Sequence, residues 1–359
     1  MRITIVGGGN IGTQFAVHCA YKKHKVVVYT SKPELFNKHL NIVDENGNTT
    51  CEGDILYATN DPEKAFRNVD CIIVTMPSTL MDAIAEIIYL HSDNIPLIGV
   101  VPGNGGSECA FAKCIERGNT FFGIERVPAI ARLVQKGKTV RSTGYREELH
   151  VSSLPIANVN KCCELVESIF DMTCKPIQNY LNLTMTPSNP ILHTTRLRSL
   201  FEDYKPGIYY DYVPLFYEEW DDKSSLLLIN CDKEVQMICK ALPKFHLENV
   251  ESLRDHYESP NVEAMTKKIS SIPAFKGLAT PTIQIGEKYI PDLHSRYFTA
   301  DFSYGLAIIK QIAEFLGVGT PNIDETMHWY KAIAIESREF NYRDYGIVDK
   351  ATFEQFYAL

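Results

Sequence analysis

The sequence predicts an α/β protein: an N-terminal domain built on a parallel sheet, followed by an all-helical C-terminal domain. Three observations carry this. The chain opens on an apolar strand, a Gly-rich turn and a helix. Fully apolar strands then alternate with helical patterns, and beyond about Leu181 the strand-like runs nearly vanish while long helical periodicities take over. The expected division is 1–180 and 181–359.

The first strand is marked by Ile3, Ile5 and Val6, and Ile11, Phe15 and Cys19 recur behind it at a helical spacing. Between them, Gly7-Gly8-Gly9-Asn10-Ile11-Gly12 sets Gly7, Gly9 and Gly12 at the G-x-G-x-x-G positions. The first glycine serves the tight turn, the second lets backbone approach a pyrophosphate, and the third lets helix and strand pack closely. At Asn10 and Ile11 the helix N-terminus offers unpaired N–H groups and partial positive charge to phosphates. Strand, turn and helix together predict a Rossmann-like dinucleotide-binding unit; the plainer account is a tight structural turn.

The second strand, 26–29, ends at Thr30-Ser31-Lys32. An NAD-binding unit usually has Asp or Glu at this tip for the ribose 2′-hydroxyl, whereas a 2′-phosphate needs hydroxyl or cationic donors. Two hydroxyls and an ammonium stand here, and the first carboxylate is Glu34. NADP(H) is therefore expected in preference to NAD(H), with Lys32 as an ordinary solvated loop lysine the alternative.

Residues 33–60 read as a helix, a polar loop and a short strand at 55–59. The run 70–75 is a fully apolar strand, of the kind buried on both faces in parallel sheets, and it stops at Met76-Pro77-Ser78. Ser78 is placed to cap a helix whose apolar face holds Ile84, Ile87 and Ile88. The next strand, 97–101, ends at Pro102-Gly103-Asn104-Gly105-Gly106. Met76, Pro77 and Asn104 thus fall at the carboxyl edge of the sheet, where such sheets bind ligands. Close backbone approach to a nicotinamide and a flexible turn account for the Gly-rich loop equally well. Segments 121–124 and 139–154 are expected to extend the sheet, with a helix near 158–170 and a last strand near 174–177.

With 359 residues, 45% hydrophobic and 22% charged, the chain is long enough for two domains. A net charge of −8 argues against a nucleic-acid surface. The ten cysteines show neither C-x-x-C nor a Cys/His cluster, so no metal site is expected. They read as small core residues in a reducing compartment. A first strand beginning at Arg2 and no apolar run near the ~20 residues of a membrane span point to a cytoplasmic protein.

A cofactor domain followed by a helical one implies a substrate held between them, so an acid/base pair is sought in the second half. Two places offer one. In 188–193, Asn189 and His193 lie four apart and share a face if helical. In 295–306, Arg296 and Asp301 precede an apolar helix. A capping histidine and an N-cap aspartate are the plainer accounts of these residues.

At these residues the chain resembles the opine dehydrogenases, nearly end to end. The likeness includes the N-terminal glycine turn, the loop 102–106 and the N-x-x-x-H of Asn189 and His193. It continues through Tyr217-Glu218-Glu219-Trp220, the segment 273–278, the Arg296-Tyr297…Asp301…Gly305-Leu306 block, 320–324 and the tail around 345–347. The resemblance implies reductive condensation of an α-keto acid, usually pyruvate, with the amino group of an amino acid at the expense of NAD(P)H. It implies that His193 is the general acid/base and that Asp301 orients and charges it. Arg296 would clamp a substrate carboxylate, and Asn189 would hold substrate or His193. Histidine suits this work, since its ordinary pKa near 6.5 lets it give and take protons near neutrality.

The chain departs from the family pattern at Ala300, at Thr194 and in the segment 286–294, which reads as an insertion. These positions bear on which amino acid is used. The expected partners are therefore small molecules, neither nucleic acid nor membrane, and a homodimer is compatible with the family. Two other readings stay open: a 2-keto acid reductase resembling ketopantoate reductase, which uses Lys and Glu, and a non-catalytic NADP(H)-sensing protein. The aromatic stretch 204–220 either shapes the amine pocket or packs a core.

Overall fold

The computed structural model describes residues 1–92, 94, 96–334 and 338–358. It forms two compact units, Met1–Thr184 and Met185–Ala358.

In the first unit the opening pattern folds as its periodicity dictates: β1 (Arg2–Val6), α1 (Asn10–Tyr21) and β2 (Lys25–Tyr29), with Val6 of β1 opposite Tyr29 of parallel β2. There follow β3 (His39–Val43), β4 (Thr49–Asp54), β5 (Tyr57–Thr59), β6 (Cys71–Val74), α2 (Met81–His91) and β7 (Leu97–Val100). Next come β8 (Phe121–Ile124), β9 (Ile130–Gln135), β10 (Thr139–Thr143), β11 (Glu148–Leu154), α3 (Val159–Phe170) and β12 (Thr173–Pro176). The main sheet runs β12-β11-β8-β7-β6-β1-β2-β5, parallel except where β11 meets β8. Every residue of β6, β7 and β8 is buried, as sheets covered on both faces require.

Three expectations are corrected here. Residues 33–60 hold no α-helix; a 3₁₀ turn at Pro33–Leu35 gives way to the β3–β4 hairpin. Leu40, Ile42 and Cys51 point inward with the period of a strand, and the turn is built by Asp44. Its carboxylate accepts the N–H groups of Asn46 (2.9 Å) and Asn48 (2.8 Å), with Gly47 at φ 86°. Second, 139–154 is two strands parted at Gly144, φ 60°. Only β11 joins the main sheet, while β10 sits in a second sheet of order β4-β3-β10-β9. Third, Ser78 does not cap α2: it begins a 3₁₀ turn, and the helix starts after Leu80 with no side-chain cap.

The second sheet explains α1, which also packs against β3, β4, β9 and β10. Gly12 through Val17, Cys19 and Ala20 are all buried, more than a one-faced amphipathic helix would hide. Two of its polar residues tie it to the second sheet: Gln14 Nε2 donates to Ser142 Oγ (2.8 Å), and Asn10 Oδ1 accepts from the Leu133 N–H (2.8 Å). The ten cysteines are all free thiols and all but Cys239 are buried.

The second unit contains α4 (Ser188–Phe201), α5 (Asp222–Lys240), β13 (Thr282–Ile285), β14 (Lys288–Pro291), α6 (Ala307–Leu316), α7 (Pro321–Ile333) and α8 (Lys350–Tyr357). Among the described residues it is helical with one short hairpin, β13–β14, which takes in part of the segment read as an insertion. Helix α6 ends at Gly317 in the left-handed conformation, φ 66°. Helix α7 is capped by Glu234 of α5, whose buried carboxylate accepts the N–H groups of Asn322 (2.8 Å) and Ile323 (2.9 Å). No helix among the described residues is long and apolar enough to cross a membrane.

Candidate active site

The glycine turn has the shape its residues predict. Gly7 adopts φ 109°, which a side chain would strain, and a Cβ on Gly12 would overlap the Gly7 carbonyl oxygen. Gly9 precedes α1 with no side-chain cap, and a Cβ there would meet nothing within 4 Å. The turn therefore presents uncapped first-turn amides to open space, the arrangement a pyrophosphate needs. The Asn10 side-chain oxygen is turned away to accept the Leu133 N–H.

The neighbouring strand ends gather round this turn. A Cβ on Gly7 would lie 2.7 Å from Thr75 Oγ1 and 3.1 Å from Met76 Sδ, and one on Gly8 would lie 3.0 Å from Thr30 Oγ1. Ser31, Lys32 and Pro77 are exposed, while Ile11 and Asn104 are half-buried. No carboxylate stands at Thr30-Ser31-Lys32. The loop after β7 is less free than a flexible turn: Gly103 donates its N–H to Ile124 O (2.8 Å) and accepts from Tyr180 Oη (2.9 Å). These residues fit a bound dinucleotide.

In the helical unit, His193 lies on α4 with Asn189 one turn before it. Asp301 opens a turn of π-helix, Phe302–Leu306, in which the Leu306 N–H reaches back to Asp301 O (2.8 Å). Gly305 packs against Pro190, where a Cβ would stand 2.9 Å from the proline ring. That close approach brings the Asp301 turn onto α4. His193 Nδ1 lies 2.7 Å from Asp301 Oδ2 with the imidazole only 4% exposed. An ionised carboxylate can only accept, so Nδ1 carries the proton and Nε2 of the neutral ring is an acceptor. Asp301 stands at the N-cap position of this turn, but its side chain makes no capping hydrogen bond.

Nε2 is met at 2.7 Å by the hydroxyl of Tyr217, a residue the sequence reading left undecided between pocket and core. Tyr297 lies tilted over the imidazole, ring centroids 4.2 Å apart, and Tyr217 stacks on Phe275 at 4.1 Å. Burial, with Tyr297 nearby, pushes the Tyr217 phenol far above its ordinary pKa, so it stays protonated. Nothing in the spacing of the tyrosines between 204 and 220 singles out Tyr217. Position 297 was legible only as the neighbour of Arg296.

Arg196, one turn after His193 on α4, is the other unforeseen residue. Its fully buried guanidinium donates to Phe216 O (2.9 Å), Leu215 O (3.3 Å), Glu219 O (2.6 Å) and Ser224 Oγ (2.9 Å). Arg296 is exposed, its Cζ 5.9 Å from the Tyr297 ring centre, and Asn189 is exposed on the first turn of α4. The structure thus brings His193, Asp301, Tyr217 and Tyr297 together, with Arg296 one ring away. A cleft of about 870 Å³ elsewhere in this unit, lined by Lys310, Glu314, His328 and Lys331 among others, contains none of the predicted site residues.

Residues 176–334 match the family model for the NAD/NADP octopine/nopaline dehydrogenase alpha-helical domain. Residues 2–104 match the NAD-dependent glycerol-3-phosphate dehydrogenase N-terminus. The chain is 25% identical to an opine dehydrogenase of Haliotis discus hannai, over 91% of this chain and 88% of that one. It is 24% identical to a tauropine dehydrogenase of Arabella iricolor, over 91% and 90%. The solved structure of octopine dehydrogenase with NADH and L-arginine superposes with a TM-score of 0.80 at 20% identity, covering 92% of this chain and 89% of that one.

Proposed function

We propose that the chain is an NAD(P)-dependent oxidoreductase of the opine dehydrogenase kind, acting on CH–NH bonds, and that it condenses an α-keto acid, pyruvate first among them, with an amino acid; the match of its helical unit to the octopine/nopaline dehydrogenase domain and its likeness to opine and tauropine dehydrogenases support this reading. The observation that carries this reading is the buried pair of His193 and Asp301, 2.7 Å apart. Such a pair fixes the ring tautomer and stabilises the imidazolium.

When bound, NAD(P)H supplies the hydride that reduces the imine carbon. The glycine turn, with the amides of Asn10 and Ile11, holds its pyrophosphate, and Met76, Pro77 and Asn104 flank it. Thr30, Ser31 and Lys32 favour a 2′-phosphate, hence NADPH over NADH. Condensation needs one proton removed from the substrate ammonium and another delivered to the departing hydroxyl. His193 manages both, with Asp301 compensating the imidazolium charge. Arg296, exposed beside the Tyr297 ring that lies over His193, pairs with the keto-acid carboxylate, and Asn189 holds substrate at the head of α4.

The test is oxidation of NADPH and of NADH by the purified protein with pyruvate, with and without each of a panel of amino acids. Reduced cofactor should be consumed only when keto acid and amine are both present. Consumption with keto acid alone would instead make the protein a 2-keto acid reductase. Cofactor binding with no turnover across the panel would favour a sensor.

A further inference from the structure

We propose that Tyr217 is a catalytic residue, its hydroxyl relaying the proton between His193 Nε2 and the reacting oxygen and nitrogen of the substrate. The inference rests on the acid/base role given to His193 above. Both nitrogens of that ring are engaged: Nδ1 by Asp301 and Nε2 by Tyr217, each at 2.7 Å. One face is covered by Tyr297, and His193 and Tyr217 are each 4% exposed. A proton leaving Nε2 therefore meets the phenol oxygen first. The other ionisable groups around the ring are Asp301 and Tyr297, with Arg296 over Tyr297 and Tyr257 near Tyr217.

Tyr217 is built into this position. On one side Arg196 holds the carbonyls of Leu215, Phe216 and Glu219. On the other, the Phe216 N–H donates to Leu278 O (2.9 Å) and the Glu218 carboxylate accepts from the Gly277 N–H (3.0 Å). The ring itself is stacked on Phe275. The helix that carries His193 thus also carries the clamp that seats the tyrosine. A phenol kept protonated by its surroundings gives one proton only as it receives another, which is what a relay requires.

The steps balance. First, neutral His193 takes the phenolic proton on Nε2 while the Tyr217 oxygen takes a proton from the substrate ammonium, leaving a free amine and an imidazolium. The amine adds to the keto carbon, the C=O π pair moving to oxygen, and the nitrogen passes one proton to that oxygen to give a carbinolamine. The imidazolium then returns its proton to Tyr217 as the phenol protonates the carbinolamine hydroxyl. The C–O bond breaks, water leaves, and the nitrogen lone pair forms the C=N bond of the iminium ion.

The experiment compares wild type, Tyr217→Phe and His193→Asn with pyruvate and the amino-acid panel, with kcat and KM measured separately and rates followed in H₂O/D₂O mixtures. Tyr217→Phe keeps the ring stack. It should lower kcat by about tenfold or more with KM for pyruvate nearly unchanged. The curved isotope dependence of a two-proton transfer should become linear. A Tyr217→Phe enzyme with wild-type kcat and curvature, beside an inactive His193→Asn, overturns the relay alone; an active His193→Asn overturns the acid/base reading beneath it. Should the variant fold poorly, ¹⁵N NMR of histidine-labelled wild type decides. Neutral His193 protonated on Nδ1, with Nε2 accepting, is required, and the opposite tautomer overturns the proposal.

Discussion

His193 Nδ1 and Asp301 Oδ2 meet at 2.7 Å although 108 residues separate them in sequence. Asp301→Asn keeps the shape but offers a neutral amide to the imidazole, favouring the wrong tautomer and losing the countercharge. We expect kcat to fall by about 10²–10⁴, while NADPH affinity, which belongs to the N-terminal unit, stays within about twofold. Steady-state kinetics and fluorescence titration of NADPH measure the two separately. Wild-type kcat in Asp301→Asn would remove the carboxylate from the mechanism.

The turn before α1 supplies a second test. A methyl at Gly12 would overlap the Gly7 carbonyl, so Gly12→Ala must push strand and helix apart. The destabilisation should be about 1–3 kcal/mol, read as a lowered denaturant midpoint. Nucleotide binding should be lost even at temperatures where the variant stays folded. Retained affinity would mean that the phosphates bind elsewhere.

Cofactor choice is tested at the tip of β2. Ser31→Asp puts a carboxylate where a 2′-hydroxyl would welcome it and a 2′-phosphate would be repelled. The ratio of kcat/KM for NADPH over NADH should drop by at least about tenfold, equivalent to ~1.4 kcal/mol. An unchanged ratio would show that Thr30-Ser31-Lys32 does not read the ribose.

Much of this was legible beforehand, and the reasons for what was not are physical. A glycine turn between an apolar strand and a helix is local information, as is the buried run from Cys71 to Val74. His193 and Asp301 were found as residue types in a suggestive setting, but their meeting depends on Gly305 lying against Pro190, a tertiary contact. The β3–β4 hairpin was missed although Asn46-Gly47 is a hairpin signal and His39-Leu40-Asn41-Ile42 alternates polar with apolar, because the partner strand Thr49–Asp54 is polar and buries only Cys51. Tyr217 was not legible as a partner of His193 at all. Its neighbours at 209, 210 and 212 share its composition, and only the buried grip of Arg196 distinguishes its segment.

Asp232 on α5 gives a prediction about pH. Burial pushes its carboxyl up to about 7 from the ordinary carboxylate range, although Oδ2 accepts the Leu253 N–H at 3.0 Å. A folded-state pKa above the unfolded one means stability is complete at low pH and is lost as pH rises through 7. Asp232→Asn, whose amide oxygen still accepts from Leu253, should therefore stabilise the protein by a few kcal/mol at pH 8. At pH 4 the gain should nearly vanish. Thermal midpoints at the two pH values check this, and an equal shift at both would rule out titration of Asp232 as the cause.

The burial of nearly all the thiols makes the chain its own unfolding probe. Burial raises Cys19, Cys162 and Cys231 to about 12, so in the native state they hold almost no thiolate for an alkylating reagent to capture. Each of these three becomes reactive only when the element around it opens, and they fall in both units, Cys19 and Cys162 in the first and Cys231 in the second. Pulse alkylation followed by peptide mass mapping would thus time the opening of the nucleotide-binding unit against that of the helical one, with no label introduced.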